Sequence, residues 1–434
     1  MAVIKSFCGY RFNCSPPGAM AKFVAPPYDM LSSAMVDELY AKDPANIVRI
    51  TQNRPCTDDT ANRTRHERAA STLEQWIHNG VLRRDDAPSV YVYEQRFSFK
   101  SGSETREAIR TGVIVLVELT PFEKKVVVPH EATLSGPKKD RYELLDATRT
   151  HTEQIFGLLD DDGPFYEQVR AVARGSSPEG TFTDGNGVVH SLFRCRDTAV
   201  IERMVTLAKG KTILIADGHH RYETGLNFHR DNPRPEYAFT MMTLVSTADP
   251  GLVIRPFHRL VKKAGRAVAM SVELARYFTL TDHGNASAVT MRTFLDSPTE
   301  DEDILYYDAV DGHLYGLSIT DNGKKAIDER FPDHCAAWKR LPVSIINVIV
   351  VNTILDLPLD GHVLHDIVEY IDDSEAAMAK CADAEKYHGG FFIRPARIGA
   401  VSDVVASGDR MPQKSTNFYP KIYSGLVMYR MDDK

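Results

Sequence analysis

Between Ile213 and Arg230 the chain reads ILIADGHHRYETGLNFHR, and no other stretch of this length restricts the fold as much. Four apolar residues in a row, Ile213 to Ala216, specify a buried strand. Asp217-Gly218 stops it, and from His219 onward the pattern is helical. A helix that starts directly after a strand presents unpaired N-terminal amides, with their partial positive charge, at the strand's end. That setting suits an anion such as phosphate. Asp217, His219, His220, Arg221 and Glu223 crowd the same turn, more titratable chemistry than a structural turn needs.

A chain of 434 residues exceeds one small core, so two domains are expected. The formal net charge of −7 argues against a protein that coats nucleic acid. No apolar run approaches the ~20 residues that span a bilayer, and the first residues lack a signal-peptide core. Six cysteines are scattered without a CxxC pair, which suits free thiols in a reducing cytoplasm. The expected partners are therefore small molecules, not nucleic acid or membrane, and the oligomeric state is left open.

Periodicity predicts helices near 32–42, 60–79, 141–150, 164–175, 197–209, 263–280, 285–296 and 374–386. Strands are expected at 90–99, 109–119, 188–195, 211–217 and 238–247, with a hairpin from DILYYDA and LYGLSIT and a strand from NFYPKIYSGLVMY at the C-terminus. Residues 341–355, LPVSIINVIVVNTIL, are apolar enough for a buried element. The class is α+β: a mixed-sheet N-terminal half, 1–235, and a second α+β domain, 236–434, whose segment 408–421 can return to the first.

Three further clusters carry chemistry. PHEATLSGPKKDR (129–141) places His130, Glu131, Ser135, Lys138, Lys139, Asp140 and Arg141 on one loop. Histidine and glutamate exchange protons, and lysine and arginine clamp phosphate oxygens. In APPYD (25–29) two prolines stiffen the backbone that holds Tyr28 and Asp29. GDRMPQKSTNFYPK (408–421) imitates a phosphate loop, but Gln413 stands where the second glycine belongs, so Lys414, Ser415 and Thr416 remain only as residues able to reach a site. His219 and His220 are adjacent and diverge by about 100° on a helix, a poor pair for one metal. His362 and His365 share a helical face without an evident third ligand. Magnesium held by a carboxylate and a substrate phosphate demands less of the protein.

Taken in order, APPYD (25–29), HEATLSGPKKDR (130–141), IFGL (155–158), ADGHHRYETG (216–225) and MPQKSTNFYPK (411–421) resemble the bacterial and archaeal family known as domain of unknown function 1015. The chain departs from that pattern at Asn347, where a histidine is common. The Asp-Gly-His-x-Arg turn is also similar to that of the ParB/sulfiredoxin superfamily, which includes chromosome-partition CTPases, sulfiredoxin and archaeal free-serine kinases. The resemblance implies a ParB/sulfiredoxin-like N-terminal half and phosphoryl transfer on free L-serine or O-phosphoserine, as a kinase or a phosphatase, in serine metabolism. It further implies a nucleotide (ADP or ATP) and magnesium as cofactors. Asp29, His130, Glu131, His219 and His220 would then handle protons. Lys138, Arg141, Asp217, Gly218, Arg221, Glu223 and Lys414 would bind phosphate and substrate. The alternative is a nucleotide-binding regulatory module of the ParB type without turnover, although neither a basic face nor a helix-turn-helix stands out.

Overall fold

A computed structural model describes residues 2–60, 64–101, 104–131, 136–263, 268–296, 302–359 and 361–433. Nine strands form the larger sheet: β1 (Ile4–Lys5), β2 (Val90–Ser101), β3 (Glu104–Glu118), β4 (Val127–Pro129), β5 (Ile155–Leu159), β6 (Gly180–Thr183), β7 (Val189–Cys195), β8 (Ile213–Asp217) and β9 (Phe239–Ser246). Their order is β4-β8-β5-β9-β3-β2-β7-β6, with β1 added to β3. β8 runs parallel to β4 and antiparallel to β5, and β9 runs parallel to β5, so the sheet is mixed as expected.

Period-two alternation explains what covers each face. Ile213 and Ile215 of β8 join Val113, Val115 and Val117 of β3 in a core that also contains Phe165, Val169, Ile201 and Met204. The last four come from α4 (Pro164–Gly175) and α5 (Thr198–Ala208). These follow α1 (Ser33–Lys42), α2 (Arg65–His78) and α3 (Gly136–Thr148) and precede α6 (His219–Asp231). Leu214 and Ala216, on the opposite face, pack into a second core shared with the rest of the chain. α2 begins at a capping box: the Glu67 N–H donates to Thr64, and the Thr64 N–H to the Glu67 carboxylate.

After β10 (Val253–Arg255) a second, antiparallel sheet follows, made of β11 (His258–Lys262), β12 (Phe278–Asn285), β13 (Ile304–Asp308), β14 (His313–Ile319), β15 (Val368–Ile371) and β16 (Tyr387–Ile393), in the order β12-β14-β13-β16-β11-β15. The DILYYDA/LYGLSIT hairpin is β13 and β14. Residues 341–355 are the buried element expected, α-helical over Pro342–Ile345 and π-helical over Ile346–Ile354. Asn347 sits inside it and is buried.

Two expectations fail. The helix expected over 263–280 reduces, among the described residues, to Met270–Leu274, and Phe278 starts strand β12 because Thr279 and Leu280 pair with Ser318 and Leu317 of β14. The C-terminal strand splits into β17 (Asn417–Tyr419), paired with β10, and Tyr429–Arg430, paired with Thr150–His151. Pro420 has no N–H to donate, and Gly425 takes φ +82°. The side chains of His362 and His365 lie outside the described residues, as does Ser135. All six cysteines are free, and among the described residues no helix is long and apolar enough to cross a membrane.

Candidate functional site

β8 ends at Asp217, and Gly218 turns the chain into α6 with φ +88° and ψ 28°, a conformation that costs glycine nothing. A Cβ at Gly218 would lie 3.0 Å from the guanidinium of Arg221. The Gly218 N–H, expected to bind phosphate, already donates to Asp217 Oδ1 at 2.8 Å. The donors that the start of α6 leaves over are the amides of His219, His220 and Arg221, which have no carbonyl four residues back to receive them.

Asp217 is the electrostatic hub. Lys421 Nζ lies 3.1 Å from its Oδ2, and the Arg221 guanidinium 4.0 Å from its Oδ1. Burial pushes its carboxyl up, but Lys421 and Arg221 overcome that and hold it well below the ordinary carboxylate range. Asp29 goes the other way: burial raises it first and the Asp217 charge second, against Arg221 and Lys421. Asp29 is exposed to solvent, so this crowding lies at the surface and not in a closed core. Two neighbouring carboxyls are thus pushed apart in acidity.

Asp29 is held from below. It lies in a 3-10 turn, Tyr28–Met30, set off by Pro27. The Tyr28 N–H donates to Glu153 Oε1 at 3.2 Å, and the Tyr28 ring lies 4.2 Å from the Arg141 guanidinium. Arg141 donates to the Thr51 carbonyl at 2.8 Å and to Asp140, and sits 3.6 Å from Glu153. Arg141 is therefore a buried brace for the APPYD turn and not the free phosphate clamp that the sequence suggests. Lys138 is likewise engaged, 2.5 Å from Glu223, where it ties α3 to α6.

His130 is almost fully buried. Its Nδ1 meets the Ile215 carbonyl at 2.6 Å and its Nε2 the Thr416 hydroxyl at 2.7 Å. A carbonyl only accepts, so Nδ1 carries the proton. The His130 N–H points to His219 Nε2 at 3.4 Å, and the two rings are 4.9 Å apart. Burial first, and His130 second, push the His219 imidazole down to about 3. It is neutral at physiological pH, which removes it as a resident imidazolium acid. Glu131 accepts from the Ser415 and Thr416 amides at 3.2 and 3.3 Å. Burial opposes its ionisation, but the His130 imidazole 3.5 Å away, together with Lys414 and with His219 once that ring is protonated at low pH, brings it down to about 2. A carboxylate that acidic anchors a loop better than it abstracts a proton.

The returning segment completes the cluster. Met411 N–H donates to the His130 carbonyl at 2.7 Å, and Ala25 and Ser424 exchange backbone hydrogen bonds. The fully buried Arg259 of β11 donates to the Lys414 carbonyl at 3.0 Å. Lys414 itself is exposed at φ +56°, its ammonium 5.4 Å over the Phe257 ring. His220 is half-buried on the first turn of α6. The structure thus gathers Asp29, His130, Glu131, Asp217, Gly218, His219 and Arg221, and turns Lys138 and Glu223 toward each other. Thr416, read from the sequence as able to reach the site, does so against His130 and Glu131, whereas sequence reasoning missed Lys421 and Glu153. Lys421 and Thr416 stood inside a quoted motif, but nothing in their spacing links them to residues more than 200 positions away.

A cleft of about 1060 Å3 opens beside this cluster. Pro26, Met30 and Lys421 line it together with Arg255, Asp372 and Tyr419. The α6 turn itself does not line it, so Lys421 is the link between cleft and cluster.

A family model described as a protein of unknown function, DUF1015, matches residues 4–344. No curated protein matches the chain. Solved structures similar to it include a free serine kinase in complex with AMP, 11% identical with a TM-score of 0.34, over 70% of this chain and 86% of that one. Also similar are a conserved hypothetical protein from Pyrococcus furiosus (12%, TM-score 0.35, 71% and 92%) and a C-terminally truncated SbnI from Staphylococcus aureus (11%, TM-score 0.36, 74% and 90%). Likeness at this level carries no argument for a shared activity.

Proposed function

The chain belongs to the DUF1015 family of proteins of unknown function, and we propose that it is a phosphoryl-transfer enzyme acting on free L-serine or O-phosphoserine. The observation that carries this reading is the β8–Gly218–α6 turn: a helix N-terminus with Arg221 folded back beside it and a carboxylate pair of split acidity at its edge. The phosphate sits on the amides of His219 to Arg221 with the Arg221 guanidinium against its oxygens. Asp29, whose carboxyl is raised, is the better-matched base for the serine hydroxyl. Glu131 and His130 hold the Met411–Thr416 segment in place, and neutral His219 offers its remaining N–H to a phosphoryl oxygen.

Asp29 and Asp217 also fit a magnesium ion, because a divalent cation relieves the repulsion between them. Among the described residues no group of three or more His, Cys, Asp or Glu is placed to hold a metal, so substrate phosphate and water would complete such a site. Magnesium bound there would neutralise charge on the phosphoryl oxygens. The 1060 Å3 cleft has room for a nucleotide such as ADP or ATP, with Lys421 at the junction.

The test is to incubate the purified chain with O-phosphoserine, with and without magnesium and a nucleoside diphosphate, and to assay phosphate, serine and nucleotide. Transfer to the nucleotide identifies a kinase, and phosphate release alone a phosphatase. No turnover, together with unaltered phosphoserine binding in Arg221→Ala, overturns the proposal.

A further inference from the structure

A second cavity, of about 370 Å3, lies against the segment that secures His130 and Glu131. Met411 and Ser415 form part of its wall, and these same residues donate their amides to the His130 carbonyl and to Glu131. Three arginines surround it: Arg340, Arg394 and Arg397. Two aspartates do as well, Asp303 and Asp403. Arg394 is committed, donating to the carbonyls of Phe294 and Glu302 and standing 3.8 Å from Asp303. Burial raises the Asp303 carboxyl, which disfavours a second negative charge there. The side chains of Arg340 and Arg397 are exposed and make no hydrogen bond or ion pair with another described residue. Asp403 likewise has no side-chain hydrogen bond or ion pair among the described residues, while the Arg397 charge acts with Arg394 on Asp303. Three arginines against two aspartates leave the lining cationic.

The remaining wall is apolar, with Leu341, Val343 and Ile393. Arg397 precedes the helix α7 (Ile398–Ala406) with no side-chain cap, which leaves first-turn amides at the rim as further donors. A largely apolar pocket of this size with cationic donors in its lining matches a small organic molecule that bears an oxyanion. We propose that this cavity binds a small organic anion, a phosphate monoester or a dicarboxylate, against the outer side of the Met411–Ser415 segment. The site is separate from the α6 turn and does not depend on what that turn catalyses.

Calorimetry on the full chain at fixed ionic strength tests it, with glycerol 3-phosphate and succinate as the two probes. In the double variant Arg340→Ala/Arg397→Ala at least one probe binds tenfold or more weakly than in the unsubstituted chain, and which one decides between the phosphate and the carboxylate class. Arg221→Ala leaves that binding unchanged. Saturation with the same probe slows amide hydrogen exchange across 409–416 in the unsubstituted chain only. Two results overturn the proposal: both probes binding the double variant with unaltered affinity, or all probe binding being lost in Arg221→Ala.

Discussion

Replacing Gly218 with alanine separates a backbone effect from a site effect. Gly218 holds φ +88°, and a side chain in that left-handed conformation costs about 1–2 kcal/mol of folding stability. The added Cβ also lies 3.0 Å from Cζ, Nε and Nη2 of Arg221. Arg221 cannot swing aside freely: its side chain is 11% exposed, donates to the Gln154 carbonyl and flanks Asp217. Gly210 is the control. It has φ +85° with nothing within 4 Å of the added Cβ, so Gly210→Ala carries the backbone cost alone. A hydrogen bond to a charged group contributes about 1.5–3 kcal/mol, so displacing Arg221 weakens phosphoserine binding by about ten- to a hundredfold. Denaturant unfolding reads the stability and calorimetry with O-phosphoserine the affinity. Both variants lose the backbone increment of stability, Gly218→Ala loses more because Arg221 must shift, and phosphoserine binding falls in Gly218→Ala alone. Equal phosphoserine affinity in the two variants refutes the reasoning.

Glu131, brought from 4.5 to about 2 in the folded chain, supports folding above pH 4.5 and loses that support as pH falls toward 2. The loss amounts to at most about 3 kcal/mol, and Glu131→Gln makes stability fall correspondingly less between pH 6 and pH 3; an unchanged slope contradicts the assignment. His219, depressed to about 3, shows no titration between pH 5 and pH 8 in imidazole NMR spectra of the unliganded chain, and a midpoint near 6.5 contradicts its burial against His130. Arg259→Leu strips donors from the Phe257 and Lys414 carbonyls and costs about 2–4 kcal/mol, with faster proteolysis between 409 and 416. Unaltered proteolysis at that segment shows that Arg259 does not hold it.

What the sequence disclosed follows from how local each signal is. The strand-to-helix turn was legible because Ile213–Ala216, Asp217-Gly218 and the helix after it are contiguous, and β8 ends at Asp217 and α6 starts at His219 as that pattern places them. The helix expected over 60–79, found as α2, and the β13–β14 hairpin were legible for the same reason, although the Thr64–Glu67 cap was not read from the sequence. Helix and strand were confused at 278–280, where only the partner strand β14 settles the matter. The reach of each charge was invisible. Arg141 and Lys138 looked free in sequence, yet their partners are Thr51, Glu153 and Glu223, which only the fold brings near. Lys421 and Asp217 are 204 residues apart and meet at 3.1 Å.

The central claim is that a substrate phosphate rests on the start of α6 beside Arg221. A crystal structure of the chain with O-phosphoserine bound tests it most directly. The account predicts phosphate oxygens within about 2.7–3.2 Å of the His219 or Arg221 amides and of the Arg221 guanidinium, with the serine hydroxyl oxygen facing Asp29. Phosphoserine bound elsewhere, with Arg221 still closed on the Gln154 carbonyl, contradicts it.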